Sequence, residues 1–162
     1  MVLPFSAILA IVISYFFFFQ NKKYSFLQNS IVFMALILIT TNYITIMTME
    51  FKMFKTTQDP FLFIVVPLYK IVMIPSLVLM FINTFLGSTR KRKAHYFIFF
   101  LACLQGIEYF LIYFGVIEYV KWNFFYAAIV NCAYLLIGLG VARIVMYGKG
   151  AHGRISESEN PT

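Results

Sequence analysis

A carboxylate stands in the middle of an aromatic, apolar segment of this 162-residue chain. The segment covers residues 101–122 and reads LACLQGIEYFLIYFGVIEYVKW, with Glu108 one helical turn after Gln105 and directly before Tyr109. An ionisable side chain among apolar residues costs free energy unless it gains a partner, a proton or a functional role. Glu108 could therefore bind a proton, an ion or a small polar ligand, or it could pair with a cationic side chain.

The elements that carry such residues are predicted to be membrane spans. The chain is 62% hydrophobic, 20% aromatic and only 12% charged, whereas about a quarter of a soluble domain is charged. A span needs about 20 apolar residues, and spans are predicted at residues 2–19, 26–48, 61–86, 95–115 and 123–146. The predicted fold class is all-α: a polytopic membrane protein with a bundle of about five transmembrane helices in residues 1–147. The polar tail, residues 148–162, is predicted to be cytoplasmic and disordered.

Basic residues are concentrated on one side of the predicted bundle. That side carries Lys22, Lys23, Arg90, Lys91, Arg92, Lys93, Lys149 and Arg154, and the other carries Lys52, Lys55 and Lys121. By the positive-inside rule the N-terminus lies outside and the C-terminus in the cytoplasm. The pattern is typical of a membrane flank, so the expected partner is the lipid bilayer and not a nucleic acid. The run from Arg90 to Lys93 either only sets orientation or also contacts lipid headgroups.

With this orientation, the helical rise predicts how deep each polar side chain lies below the outer end of its span. The depths are roughly 13 Å for Lys70, 10 Å for Glu108, 12 Å for Asn131 and 9 Å for Asn42. The common depth predicts one intramembrane polar cluster in the outer half of the bilayer, made of Glu108, Lys70, Asn131, Asn42, Gln105 and Tyr109. Tyr69 and Tyr113 are expected to wall it.

The last predicted span has one face of small and polar residues. Ala127, Asn131, Tyr134, Gly138 and Ala142 follow one another at helical spacing. Small residues let helix backbones approach closely in membranes, so this face is predicted to pack against the other spans. The two cysteines, Cys103 and Cys132, also fall inside apolar segments and are interpreted as packing residues.

Three interpretations of the polar cluster remain open. In the first, Lys70 and Glu108 form a buried pair that fixes which helices touch. In the second, the cluster is a binding cavity that opens to the outside, and Glu108 is its titrating group. The third, an intramembrane enzyme, is disfavoured because the sequence has no HExxH, GxSxG or phosphate-binding glycine loop. We therefore expect no catalytic activity, no cofactor and no metal site.

Several residues resemble a family of small multi-helix membrane proteins of spore-forming Firmicutes. The resemblance covers about residues 38–146 and is carried by Ile107-Glu108-Tyr109, Gly115, Ile117, Tyr119, Trp122-Asn123, Asn131 and Arg143, and earlier by Asn42-Tyr43, Glu50 and Val66-Pro67. It implies a helical bundle in the plasma membrane and assigns no activity. The chain departs from the family near its start and in the basic run at Arg90.

The sequence thus predicts a small binding, accessory or structural membrane protein. The alternative is a transport or channel subunit for a proton, ion or small solute. An odd number of spans without an inverted repeat is not the usual architecture of a self-contained transporter. A homo-oligomer or a larger membrane complex would remove that objection.

Overall fold

The computed structural model of the chain describes residues 2–20 and 24–158, with side chains described up to residue 147. Within this part, five helices are long and apolar enough to cross a membrane: Val2–Phe19, Phe26–Met49, Pro60–Leu86, Arg90–Tyr113 and Phe124–Tyr147. The predicted all-α class is confirmed, and the five spans overlap the five predicted ones.

The first two spans are regular helices, α1 (Val2–Phe19) and α2 (Phe26–Met49). A capping box begins α2: the Gln28 backbone N–H donates to Ser25 Oγ, and Gln28 Oε1 accepts from the Ser25 backbone N–H at 3.0 Å. Two orphan donors at the helix start are thereby satisfied by local side chains.

The third span is interrupted where its prolines lie. It consists of α3 (Pro60–Phe63), α4 (Val65–Pro67), a π-helical segment (Leu68–Met73) and α5 (Ile74–Leu86). Pro75 has no N–H to give to the carbonyl four residues earlier, and a proline ring crowds that carbonyl. The helix is widened just before it, where the Ile74 N–H donates to the Tyr69 carbonyl. The backbone thus adapts to Pro75 with a π-helical turn in the middle of the span.

Two helix boundaries differ from the predicted ones. Helix α6 (Arg90–Tyr113) includes the basic run that precedes the predicted span start at residue 95. Lysine and arginine form helices well, and their long side chains can reach water from a helical turn. Helix α7 (Phe124–Ser158) continues past Met146, so the tail predicted to be disordered from Gly148 is helical up to Ser158. No proline interrupts it before Pro161. Residues 159–162 lie outside the described residues.

A short antiparallel sheet was not predicted. Strand β1 (Phe54–Thr56) follows α2, strand β2 (Ile117–Tyr119) follows α6, and Phe54 pairs with Tyr119, Lys55 with Glu118 and Thr56 with Ile117. The two strands come from separate interhelical loops, which must therefore lie at the same end of the bundle. We call β1 and β2 together the capping sheet.

The third span is the centre of the bundle. Val78, Leu79, Phe81 and Ile82 of α5 are fully buried, and α5 packs against α1, α2, α6 and α7. Near the opposite end from the capping sheet, the Asn83 side chain donates to Asn29 Oδ1 at 3.0 Å and ties α5 to the start of α2. These two buried asparagines form an interhelical contact that was not predicted.

The predicted small face of α7 is confirmed as a packing face. Ala127, Asn131, Tyr134 and Ala142 are buried. Gly138 lies so close to α5 that a Cβ built on it would stand 2.6 Å from Val78 Cγ1 and 3.2 Å from Ile82 Cδ1. The absence of a side chain at this position therefore sets the distance between α7 and α5.

We expect Gly138→Ala to destabilise the bundle by about 1–3 kcal/mol, the usual cost of overpacking a filled core. The matched control is Gly140→Ala on the same helix, where an added Cβ meets no atom within 4 Å. Unfolding in mixed detergent micelles measures both changes. Equal stability of the two variants would contradict the close approach at Gly138.

Candidate functional site

Glu108 is held by two neutral donors from other parts of the fold. The Tyr119 hydroxyl donates to Glu108 Oε1 at 2.6 Å, and the Asn131 amide donates to Glu108 Oε2 at 2.9 Å. A separation of 2.6 Å is typical of a hydroxyl that donates to a charged carboxylate. Both carboxylate oxygens are thus engaged, one from β2 and one from α7.

The end of α6 turns the chain so that Tyr119 can reach Glu108. The Val116 N–H donates to the Leu111 carbonyl and the Gly115 N–H to the Ile112 carbonyl, while Gly115 has a φ of +68°. This is a Schellman motif, in which a left-handed residue ends the helix and is most often glycine. The reversal carries Ile117–Tyr119 back over the last turns of α6.

The amide side chains extend the site into a network. Asn131 is 3% exposed, and its Nδ2 also donates to Gln105 Oε1 at 3.1 Å. Gln105 Nε2 in turn donates to the Phe124 carbonyl at the start of α7, at 3.2 Å. Glu108, Tyr119, Asn131 and Gln105 form what we call the Glu108 cluster. It ties α6, α7 and the capping sheet together.

The Glu108 cluster adjoins a small cavity. The cavity has a volume of about 30 Å³, and a void of about 10–15 Å³ already holds one water molecule. Its polar wall consists of Glu108, Asn131 and the tyrosines Tyr43, Tyr69, Tyr119 and Tyr134, with apolar side chains closing the remainder. The cavity lies directly beneath Phe54 and Ile117 of the capping sheet.

Two buried hydroxyls beside this cavity lack a hydrogen bond of good geometry. They belong to Tyr134, which lines the cavity and is 4% exposed, and to its neighbour Thr40, which is fully buried. Burying a hydroxyl without a partner costs about 1–3 kcal/mol. A small polar guest in the cavity would give the Tyr134 hydroxyl a further partner beside Thr40.

The tyrosine of the capping sheet is fixed as a donor. Burial, the hydrogen bond to Glu108 and the charge of Glu108 all raise the pKa of the Tyr119 phenol well above its usual value. The phenol therefore keeps its proton throughout the physiological pH range and continues to donate to Glu108. No lysine or arginine contacts Glu108 within the described residues.

The structure brings together only half of the predicted cluster. Glu108, Asn131 and Gln105 meet as expected, and Tyr69 lines the adjoining cavity. Asn42 instead donates to the Leu38 carbonyl of its own helix at 2.8 Å and is exposed on α2. The prediction that it reaches another helix was wrong, because a carbonyl one turn earlier satisfies its amide.

Tyr109 and Lys70 are also outside the Glu108 cluster. Tyr109 is 59% exposed and stacks on Tyr113 with ring centroids 6.4 Å apart, because the residue next to Glu108 on a helix points away from it. Lys70 forms no ion pair with Glu108 among the described residues. The first of the three interpretations, a Lys70–Glu108 pair, is thus not what the structure shows: the neutral donors Tyr119 and Asn131 contact Glu108 instead.

The four basic residues predicted to contact lipid headgroups, Arg90 to Lys93, form the first turn of α6. Arg90, Lys91 and Arg92 are exposed on the first turn of α6, while Lys93 Nζ lies over the Phe85 ring, 5.2 Å from its centroid. Positive charge is unfavourable at a helix N-terminus. Anionic groups at the membrane surface would offset that cost, and the headgroup interpretation stays a prediction.

Tyr119 is the functional residue that sequence reasoning missed. It was not among the residues predicted for the intramembrane polar cluster. The alternation in Ile117-Glu118-Tyr119 and the glycine after α6 are signals of a strand that follows a helix stop. A three-residue strand is too short for that signal to stand out.

The fold and composition define the chain as a multi-pass α-helical membrane protein. Its distinguishing feature is a carboxylate cluster closed at one end by a sheet from two loops. Comparison with protein families, curated proteins and solved structures finds no match to the chain. The resemblance to the Firmicutes family stays a prediction.

We expect Tyr119→Phe to lower the free energy of unfolding by about 1.5–3 kcal/mol, the range for a hydrogen bond to a charged group. The control is Tyr109→Phe, whose exposed hydroxyl has no such bond and whose loss should cost less than about 0.5 kcal/mol. Unfolding in mixed micelles compares the two. A larger loss for Tyr109→Phe would mean that the predicted cluster, and not the observed one, is correct.

The absence of a Lys70–Glu108 contact can be tested by combining substitutions at the two positions. Because the two side chains share no contact, the changes caused by Lys70→Met and Glu108→Gln should add in the double variant to within about 0.5 kcal/mol. The same unfolding measurement applied to the four proteins gives the coupling energy. Rescue of either single variant by the other substitution would restore the ion-pair interpretation.

Proposed function

We propose that the protein is a small membrane binding protein whose Glu108 cavity holds one monovalent cation near the outer face of the bilayer. The observation that carries the proposal is a carboxylate engaged by two neutral donors, beside a cavity of about 30 Å³, with no cationic side chain in contact within the described residues. A carboxylate buried in an apolar bundle is costly until a proton or another cation neutralises it.

The polar groups that line the Glu108 cavity favour a cation with a single charge. One carboxylate faces the cavity, and the other polar groups around it are a neutral amide and four phenols. Calcium sites use six to eight oxygens, several of them from carboxylates, and magnesium needs near-ideal octahedral geometry. A proton shared with a water molecule, or a partly dehydrated alkali-metal ion, matches both the charge and the volume.

The surroundings of the cavity support binding over conduction. The capping sheet lies on one side of it, and fully buried side chains of the core, including Val78, Leu104 and Leu135, fill the bundle further along. A conducting path would need these elements to separate. A transport subunit remains the alternative function, and it would require a second state with a displaced sheet.

The proposed setting is the plasma membrane, with the N-terminus outside and the C-terminus in the cytoplasm. The positive-inside rule supports this orientation, and the resemblance to the Firmicutes family supports the membrane. The capping sheet would then face the exterior, and Glu108 would lie about 8 Å below the end of α6 at Tyr113. We assign no catalytic role, and an accessory role within a larger membrane complex is part of the proposal.

The proposal is tested by ion-dependent thermal unfolding in detergent. Wild-type protein is melted in lithium, sodium, potassium or choline chloride at constant ionic strength, so that general screening is held fixed. A ligand at 100 times its dissociation constant stabilises the folded state by about 2.7 kcal/mol. We expect at least one alkali-metal ion to raise the melting temperature above that in choline, and Glu108→Gln to abolish the difference.

The matched control is Glu118→Gln, which removes an exposed carboxylate of the same capping sheet. It should leave the ion dependence intact. If no alkali-metal ion stabilises the wild type, an infrared carboxyl band that titrates in wild type and is lost in Glu108→Gln would identify the proton as the cation. Absence of both signals would overturn the proposal and leave the Glu108 cluster a structural network.

A further inference from the structure

Lys70 is a cation deep in the membrane-spanning part of the chain. It lies in the π-helical segment of the span Pro60–Leu86. That span is about 40 Å long, so Lys70 lies about 15 Å from its outer end and about 10 Å inside a hydrocarbon core of about 30 Å. An ammonium group at this depth costs roughly 2.5–3.5 kcal/mol on insertion scales.

Nothing within the described residues offsets this charge. Lys70 is half-buried and makes no ion pair, hydrogen bond or ring contact there. Glu108 is the only acidic residue in the five membrane-spanning helices as far as Tyr147, and its two oxygens are engaged by Tyr119 and Asn131. A second copy of the chain would bring the same spans and hence no free intramembrane carboxylate.

The helix face next to Lys70 is open and apolar. Phe63, Ile64 and Ile71 are about half exposed, and Pro67 is exposed. These residues lie on the part of the third span that is turned away from the core residues Val66, Tyr69 and Met73. The exposed side of this span therefore combines an apolar surface with an uncompensated positive charge.

We propose that this face binds a transmembrane helix of another protein that carries an aspartate or glutamate at the depth of Lys70. The charge decides the class of partner, because lipid tails have no countercharge and the headgroup phosphates lie beyond the hydrocarbon boundary. Association would replace a lone buried ammonium by an ion pair. The inference concerns a different face of the bundle from the Glu108 cavity and does not depend on the ligand proposed there.

The experiment measures energy transfer between the labelled protein and labelled synthetic helices in phosphatidylcholine vesicles. One helix is a leucine–alanine span with a single aspartate at the depth of Lys70, and the other has leucine at that position. We expect the aspartate helix to associate roughly tenfold more tightly, in line with the 1–2 kcal/mol of polar contacts between model transmembrane helices. Lys70→Met should abolish the preference, and Lys70→Arg should keep it.

Folding is checked separately by circular dichroism and melting. Lys70→Met removes a charge from an apolar span and should stay folded, so that loss of the preference reports on binding. Equal transfer to the two helices in wild type would overturn the proposal and leave a snorkelled contact with lipid phosphate as the alternative. An aspartate preference that survives in Lys70→Met would overturn it as well.

Discussion

The structure depends on one constraint: a carboxylate inside an apolar bundle must be solvated by fixed donors. Water cannot supply hydrogen bonds freely at this depth, so Tyr119 and Asn131 supply them. Each donor comes from a different element, β2 or α7, and Glu108 itself is on α6. Satisfying one side chain thus brings three parts of the chain together. The energetic cost of leaving it unsatisfied makes this arrangement specific.

The capping sheet follows from the same requirement. Tyr119 can donate to Glu108 only if the chain reverses after α6, and the Schellman motif at Gly115 provides that reversal. The reversed strand leaves backbone groups that need partners, and β1 from the loop after α2 satisfies them through three paired positions. The two loops are therefore coupled to the carboxylate below. A change in the charge of Glu108 would act directly on this sheet through the Tyr119 hydrogen bond.

The sequence was sufficient to predict the five spans, since hydropathy over about 20 residues determines them. It was not sufficient to predict the direction in which each side chain points. Lys70, Glu108 and Asn42 lie at similar predicted depths, yet they belong to different faces, because rotation of a helix about its axis is set by packing. The small face of α7 could be predicted because five residues follow one another there at the helical intervals of three or four. Tyr119 could not, since a three-residue strand has no periodicity to recognise.

The fold keeps two intramembrane ionisable residues, Glu108 and Lys70, apart. Glu108 and Lys70 have opposite signs and were predicted to lie at similar depths, so a pair between them would have been the simplest way to neutralise both. The chain instead satisfies Glu108 with neutral groups and leaves Lys70 half-buried on another face. An internal pair would have removed both charges from further binding. Because they are kept apart, each can still attract an opposite charge. Glu108 does so beside a cavity of about 30 Å³, and Lys70 does so on the exposed face of the third span. This separation costs stability in the isolated chain, and binding at either site would recover part of that cost.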